Sequence, residues 1–109
     1  MQPGTDGADA IAYSMNVSAL VVNKSENDGN VTYSPSSITL TGYEKKGKDE
    51  RKLYPCRFTV SKDGAAPVSI NTSDSSSVTY STNMDFKTLE FKMYAAGGTN
   101  TLLDSQTVV

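Results

Sequence analysis

The sequence predicts an all-β domain, an antiparallel sandwich of two sheets, and three observations lead to this fold class. Apolar side chains recur at every second position in one segment after another, as in strands that bury one face. Clusters of Gly, Pro, Asn, Asp and Ser separate these segments and are typical of turns between strands. No window of the chain shows the period of a helix.

The ends of the chain differ from its interior. With 109 residues the chain has the length of one domain, which we divide into a linker, residues 1–9, and a domain, residues 10–109. Within the linker, Gly4 and Gly7 begin two Gly-X-Y triplets, the collagen spacing, although two triplets are too few to form a triple helix. Because the sequence stops inside a strand-like segment, Thr107–Val109, we expect it to be a piece of a longer protein.

The first half of the domain contains three expected strands. Ile11–Val17 and Ser37–Tyr43 alternate clearly, and Val31–Tyr33 is a short strand that Pro35 ends. We expect the apolar run from Ala19 to Val22 to continue the first strand after a kink. The polar segment from Lys24 to Asn30 is expected to be a turn, with Gly29 at positive φ.

The second half continues the pattern. Turns are expected at Lys62–Ala65 and Gly97–Asn100, and the expected strands are Leu53–Val60, Pro67–Ile70, Ser77–Thr82, Thr88–Tyr94 and Thr101–Val109. About seven or eight short strands at this spacing predict an immunoglobulin-like antiparallel β-sandwich. The side chains expected to form its core are those of Leu40, Cys56, Phe58, Ile70, Leu89, Phe91 and Met93.

The inventory of reactive residues argues against catalysis. Cys56 is the one cysteine, so no intramolecular disulfide is possible, and a lone thiol in an apolar strand is expected to be a small buried hydrophobe. The chain has no histidine and therefore lacks the usual general base at neutral pH. We expect no enzyme activity, no cofactor and no metal. A calcium-loop candidate running from Asn23 to Asp28 lacks the required glycine and closing glutamate, and a hairpin turn explains it better.

The charge distribution limits the partners. A net charge of −2 and a pI of 4.9 argue against nucleic acid and against anionic membrane surfaces. No apolar stretch is long enough to span a membrane, so no membrane insertion is expected. The run from Lys45 to Lys52 mixes both charges and is interpreted as a solvated hairpin tip.

Two tyrosines are the candidate ligand or interface residues. By alternation, Tyr43 and Tyr94 face away from the core. A tyrosine offers an apolar ring face and a hydroxyl, which suits sugars and protein interfaces. The alternative is that they pack against a neighbouring domain or are merely exposed.

The order of several motifs resembles a known class of modules. These are the Gly-X-Y triplets before Ala10 and Ile11, the Asp28-Gly29-Asn30-Val31 turn, a central Tyr-x-x-x-x-Thr-Val strand ending at Val60, and the closing segment Leu103–Val108. The chain is similar over nearly its whole length to the immunoglobulin-like modules of bacteriophage or prophage tail-fibre and tail-tip proteins. The resemblance implies a non-catalytic structural spacer or a host-surface-binding module, located on the virion tail.

The resemblance also implies partners and an oligomeric state. The domain is expected to contact neighbouring domains of a homotrimeric parent and a glycan or protein of the host surface, whereas this chain alone is expected to be a monomer or weak oligomer. An alternative remains open, in which the chain is a carbohydrate-binding or spacer module of a bacterial cell-surface protein. A third possibility is an accessory domain attached to an enzyme.

Overall fold

The computed structural model describes residues 10–109, and the linker predicted at residues 1–9 lies outside the described residues. The described residues contain no helix. They form ten strands, here numbered in chain order: β1 Ile11–Val17, β2 Asn23–Asn27, β3 Asn30–Ser34, β4 Ser37–Lys46, β5 Lys52–Leu53, β6 Arg57–Lys62, β7 Val68–Ser69, β8 Ser77–Ser81, β9 Leu89–Tyr94 and β10 Leu102–Val108.

Two four-stranded antiparallel sheets make up the body of the domain. The first sheet, β1-β4-β5/β8, is built on the long strand β4, which pairs with β1 on one side and with both β5 and β8 on the other. The second sheet has the strand order β10-β9-β6-β7. The all-β fold class and its antiparallel sheets are therefore confirmed, and the two sheets form a sandwich-like arrangement.

One hydrophobic core lies between the sheets. Met15, Ile38 and Leu40 come from the first sheet, and the larger apolar side chains of β6 and β9 come from the second. Six of the seven predicted core residues are buried: Leu40, Cys56, Phe58, Leu89, Phe91 and Met93. The prediction for Ile70 was too strong, because it follows the two-residue strand β7 at a sheet edge and only packs, half-buried, against the core.

Side chains join the sheets where β1 meets β10. The Met15 N–H, which points away from β4, donates to Asp104 Oδ2 at 2.8 Å. The Met15 C=O accepts a hydrogen bond from Gln106 Nε2 at 3.0 Å. A register shift on β10 between Leu102 and Asp104, a β-bulge, lies directly before this carboxylate. The free edge of β1 is thus satisfied by β10 at Met15, and the sandwich is closed on this side.

The predicted strand Leu53–Val60 is in fact two strands in different sheets. Lys52–Leu53 pairs with β4 in the first sheet, whereas Arg57–Lys62 pairs with β9 in the second. Pro55 lies at the crossing, where its missing N–H interrupts the pairing. The residues predicted to face inwards after the crossing, Cys56, Phe58 and Val60, are all buried, and Thr59 and Ser61 on the opposite face of β6 are buried as well.

Residues 18–34 also differ from the expectation. The apolar run from Ala19 to Val22 does not continue β1. Most of the expected polar turn is the strand β2, which forms a hairpin with β3, the strand predicted at Val31–Tyr33. Asp28 and Gly29 form its two-residue turn with φ values of 53° and 81°. Such paired left-handed residues match the twist of a hairpin, which explains the Asp-Gly dipeptide. Together with the extra short strands, this hairpin raises the strand count above the expected seven or eight.

Candidate functional site

The two tyrosines predicted as ligand residues lie on different sheets. Tyr43 is on β4 of the first sheet and Tyr94 is on β9 of the second. Both are partly exposed, and both alternate with buried neighbours, such as Gly42 and Met93. Because each points away from the shared core, the fold does not bring them together into one site.

Tyr43 is partly covered by its own chain. The guanidinium carbon of Arg51 lies 3.9 Å from the centre of the Tyr43 ring, a cation–π contact that occupies one face of the ring. Leu53, which is 58% exposed, pairs with Tyr43 across β4 and β5. A ligand of Tyr43 would therefore meet Arg51 and Leu53 as well.

The run from Lys45 to Lys52 forms the tip of the β4–β5 hairpin, as the sequence predicted. Its charges surround a small surface cavity of about 110 Å³ that Ile11 also lines. Two glutamates, one aspartate and two lysines share this cavity, so it carries no excess of positive charge that would favour a phosphate group.

The outer face of the first sheet is rich in hydroxyl groups, with the charge of Arg51 at its Tyr43 end. Thr39 and Thr41 of β4 lie between small polar residues of β1 and β8 in the register of the sheet. With Tyr43 at one end, the residues of this hydroxyl face are Ser14, Asn16, Thr39, Thr41, Ser77, Thr79 and Ser81. The face offers many hydrogen-bond donors and acceptors without the desolvation cost of charged groups.

The hairpin of β2 and β3, residues 23–34, is here called the hairpin arm. It forms a separate two-stranded sheet, contributes nothing to the buried core, and is exposed at every residue from 23 to 32. Asp85 fixes its base to the body. The Tyr33 hydroxyl donates to Asp85 Oδ1 at 2.6 Å, and Lys24 Nζ lies 2.9 Å from the same oxygen. These two contacts, from Lys24 and then Tyr33, lower the pKa of Asp85.

Two further aspartates hold loops of the body. The Asp63 carboxylate accepts hydrogen bonds from the N–H groups of Lys87, at 2.6 Å, and Thr88, at 3.0 Å. The Asp74 carboxylate accepts from the Gly97 N–H at 2.9 Å and from Arg57 Nε at 2.8 Å. Backbone N–H groups are the main cause of the lowered pKa of both aspartates. At neutral pH these carboxylates are ionised, and their hydrogen bonds hold the loops in place.

Cys56 has the environment of a core residue. Its side chain is buried, and burial is the main cause that raises its pKa to about 11, with the nearby Asp74 charge adding to the effect. A nucleophilic cysteine needs the opposite shift, because the thiolate is the reactive form. The expectation of a small buried hydrophobe is confirmed.

Asn71, in the loop between β7 and β8, has a structural use. Its amide group accepts from the Phe58 N–H at 2.8 Å and donates to the C=O groups of Cys56, at 2.9 Å, and Ser73, at 2.7 Å. The amide group thus joins the backbone at the start of β6 to the loop that contains Asn71.

An apolar groove of about 420 Å³ opens beside the short strand β7 and the edge strand β8. The groove is lined by Val68 of β7, which is 63% exposed, and by Tyr80 of β8. The other lining residues are Val60, Lys62, Ala65, Ala66, Ser69 and Ile70. This β7–β8 groove lies between the edge strand β7 of the second sheet and the edge strand β8 of the first.

The sequence did not predict the β7–β8 groove, the strand β2 of the hairpin arm or the hydrogen bonds of the aspartates. The Asp-Gly dipeptide at residues 28 and 29 was an available signal for a hairpin. No sequence signal pairs Asp85 with Tyr33, which is 52 residues away, and none places β7 beside β8.

Within residues 10–109, no three His, Cys, Asp or Glu side chains are grouped as metal ligands would be. The same residues provide no helix that is long and apolar enough to cross a membrane. Comparison with known proteins found no family model, no curated protein and no solved structure that matches the chain.

Proposed function

We propose that this chain is a non-catalytic structural or host-surface-binding module of a phage or prophage tail-fibre or tail-tip protein. The observation that carries the non-catalytic part is the structural use of the aspartates. Asp63, Asp74, Asp85 and Asp104 each bond to a distant part of the chain and so hold loops, the hairpin arm and the β1 edge in place. The resemblance of the motif order to tail-fibre modules supports the choice of class.

The remaining chemical groups support the same proposal. A general base is a group with a pKa near neutrality that is free to move a proton. The shifts of Asp63, Asp74 and Asp85 lie in the other direction, below the usual carboxyl value, and the thiol of Cys56 is shifted upwards. Such groups stabilise a rigid scaffold that presents surfaces to a partner.

A second function is favoured by the hydroxyl face of the first sheet. Hydroxyl and amide groups beside an aromatic ring are the means by which proteins bind uncharged sugars. This face fits a carbohydrate-binding module of a bacterial cell-surface protein as well as a phage module that binds a host glycan. The genes next to the parent gene distinguish the two, since tail and baseplate genes favour the first and sugar transporters the second.

The test is binding of the fluorescently labelled chain to a panel of bacterial cells, before and after their surface polysaccharides are removed. Tyr43→Ala and Tyr94→Ala serve as controls for each other, because the two residues lie on different sheets. We expect one of them to weaken binding about fivefold, which corresponds to the loss of one aromatic contact, while the other binds as the wild type does.

Binding that both variants retain would show that neither tyrosine contacts the ligand. If no cell in the panel is bound, the surface-binding role is contradicted and the structural spacer role remains. Cleavage of a purified surface polysaccharide by the chain would contradict the proposal as a whole.

A further inference from the structure

The outer edge of β8 is open in a way that the edge of β1 is not. Gly42 N–H donates to Ser76 C=O, and Thr82 N–H donates to Ser36 C=O, at the two ends of the β4–β8 pairing. In this antiparallel register, Val78 and Tyr80 bond to β4, so Ser77, Thr79 and Ser81 direct their N–H and C=O groups away from it. Within residues 10–109, the outward N–H and C=O groups of Ser77 bond to the Ser75 hydroxyl, whereas the backbone of Thr79 has no hydrogen-bond partner on that side.

The β8 edge also lacks the features that keep other edges from pairing. Charged residues and prolines are common on exposed edge strands because they block addition of another strand. The segment from Ser75 to Met84 contains no charged residue and no proline. By contrast, Asp104 and Gln106 occupy the edge of β1 at Met15, and β5 and β7 have only two residues each.

The edge is complementary to itself. If two copies pair antiparallel about a twofold axis at Thr79, Thr79 faces Thr79, Ser77 faces Ser81, and Val78 faces Tyr80. The pairs that meet by hydrogen bonds are Thr79 with Thr79 and Ser77 with Ser81, and for the second pair the Ser75 hydroxyl gives up its contacts with the Ser77 backbone. Pairs of an aromatic and a β-branched residue are among the favourable cross-strand contacts. The segment carries no charge, so no like charges meet at the axis.

We propose that β8 is a self-association edge, at which two copies of this chain join their first sheets into one continuous sheet. Val78 and Tyr80 lie on the inward side of the strand, as the partial burial of both shows. In the pair, these residues of both copies form one apolar cluster that extends over the β7–β8 grooves and covers Tyr80. The hydroxyl faces of the two copies then form one surface.

The expected contact is weak. A pairing of five-residue strands with an adjacent groove buries less than the roughly 1,200 Å² of a standard stable interface. We therefore expect the chain to be mainly monomeric at low concentration and to associate as its concentration rises. This proposal depends on the β8 edge alone and is independent of the surface-binding function proposed above.

The test uses charge substitutions at the twofold axis, measured by sedimentation equilibrium over a wide range of concentration. Thr79→Lys and Thr79→Glu each place like charges opposite each other, so we expect the association constant of each variant to fall about fivefold. An equimolar mixture of the two places opposite charges together and should restore association to the wild-type level or above it. Thr32→Lys, at an exposed threonine of the hairpin arm, is the matched control and should associate as the wild type does.

Thr79→Pro gives a second measure, because proline removes an N–H that β4 does not use. It should abolish association while the circular dichroism spectrum stays that of the folded chain. A wild-type chain that stays monomeric at the highest concentration would overturn the proposal. So would association that the Thr79 variants leave unchanged, or a mixture of Thr79→Lys and Thr79→Glu that associates no better than either alone. Those two results would place the contact on another surface or give it another geometry.

Discussion

At the scale of single residues, Gly42 and Cys56 show how closely the strands approach in the core. Gly42 is buried on β4, and a Cβ atom at this position would lie 2.6 Å from Cys56 Sγ, 3.1 Å from Met93 Cε and 3.1 Å from the Tyr54 carbonyl oxygen. Glycine is needed here for lack of space. The alternation in the sequence assigned Gly42 to the same face as Leu40, but it did not show that its missing side chain makes room for the thiol.

We predict that Gly42→Ala destabilises the domain by about 1–3 kcal/mol, because overpacking forces neighbouring groups to move. In a Cys56→Ala background the same substitution should cost less, since the sulfur atom closest to the new Cβ is absent. Urea denaturation of the four proteins in the double-mutant cycle measures both effects. Strictly additive costs would show that Cys56 does not limit the space at Gly42.

The thiol of Cys56 should be inert in the folded protein. We expect no labelling by a bulky thiol reagent in native buffer and complete labelling in denaturant. Cys56→Ser should cost about 1–3 kcal/mol, because the shorter C–O bond leaves a buried hydroxyl farther from the Ser75 carbonyl that Sγ approaches at 3.7 Å. Rapid labelling of the native protein would contradict the buried position.

At the scale of elements, the hairpin arm depends on contacts at its base. Lys24 and Tyr33 share Asp85. Lys62 of the body acts electrostatically on Asp85, and Glu26 of the arm acts electrostatically on Lys24. The sequence predicted the turn at Gly29 and a strand at Val31–Tyr33, which is most of β3, but it did not predict β2. The reason is physical, because β2 is polar and exposed along its whole length and therefore carries no apolar alternation, whereas β3 has Val31 and Tyr33 at alternate positions.

We predict that Asp85→Asn increases amide hydrogen exchange in residues 23–34 and leaves the exchange of β6 and β9 unchanged. The amide cannot form the ion pair with Lys24, although it can still accept from Tyr33. Asp28→Asn at the tip of the arm is the matched control, since it removes the same charge and asparagine tolerates the left-handed backbone there. Equal effects of the two substitutions would contradict a specific role of Asp85.

The same contacts should depend on pH. The pKa of Asp85 is lowered from its usual 3.8, so its stabilising effect is complete above that value and is lost as the pH falls through the folded-state pKa below it. The pKa values of Lys24 and Tyr33 are raised by their hydrogen bonds to Asp85, so their effect is lost only as the pH rises above their usual values of 10.5 and 10.0. We therefore expect the exchange protection of the arm to stay constant between about pH 4 and pH 10. A change near neutral pH would be evidence against this assignment.

At the scale of the whole molecule, side chains join the two sheets between β1 and β10, whereas on the other side a backbone bridge between Cys56 and Ser75 joins them and the edge of β8 beyond it is open. Most of the body was predictable, because the apolar alternation of β1, β4, β6 and β9 follows from burial of one face. The sheet to which each strand belongs was not predictable in this way. The alternation around Pro55 predicts a single strand, although the chain changes sheets at this residue. The tyrosines were placed by the same alternation, whereas the β7–β8 groove and the contacts of Asp85 and Asp104 arise only from the tertiary arrangement.

Amide hydrogen exchange of single residues in dilute solution tests this difference between the β1 and β8 edges most directly. We predict strong protection of the Met15 N–H, because it donates a hydrogen bond to Asp104 of the other sheet. We predict rapid exchange of the Thr79 N–H, because it faces solvent at the β8 edge. Asp104→Ala should abolish the protection of Met15 and leave Leu40, at the centre of β4, protected. Exchange of the Met15 amide as fast as that of Thr79 in the unsubstituted chain would contradict the account.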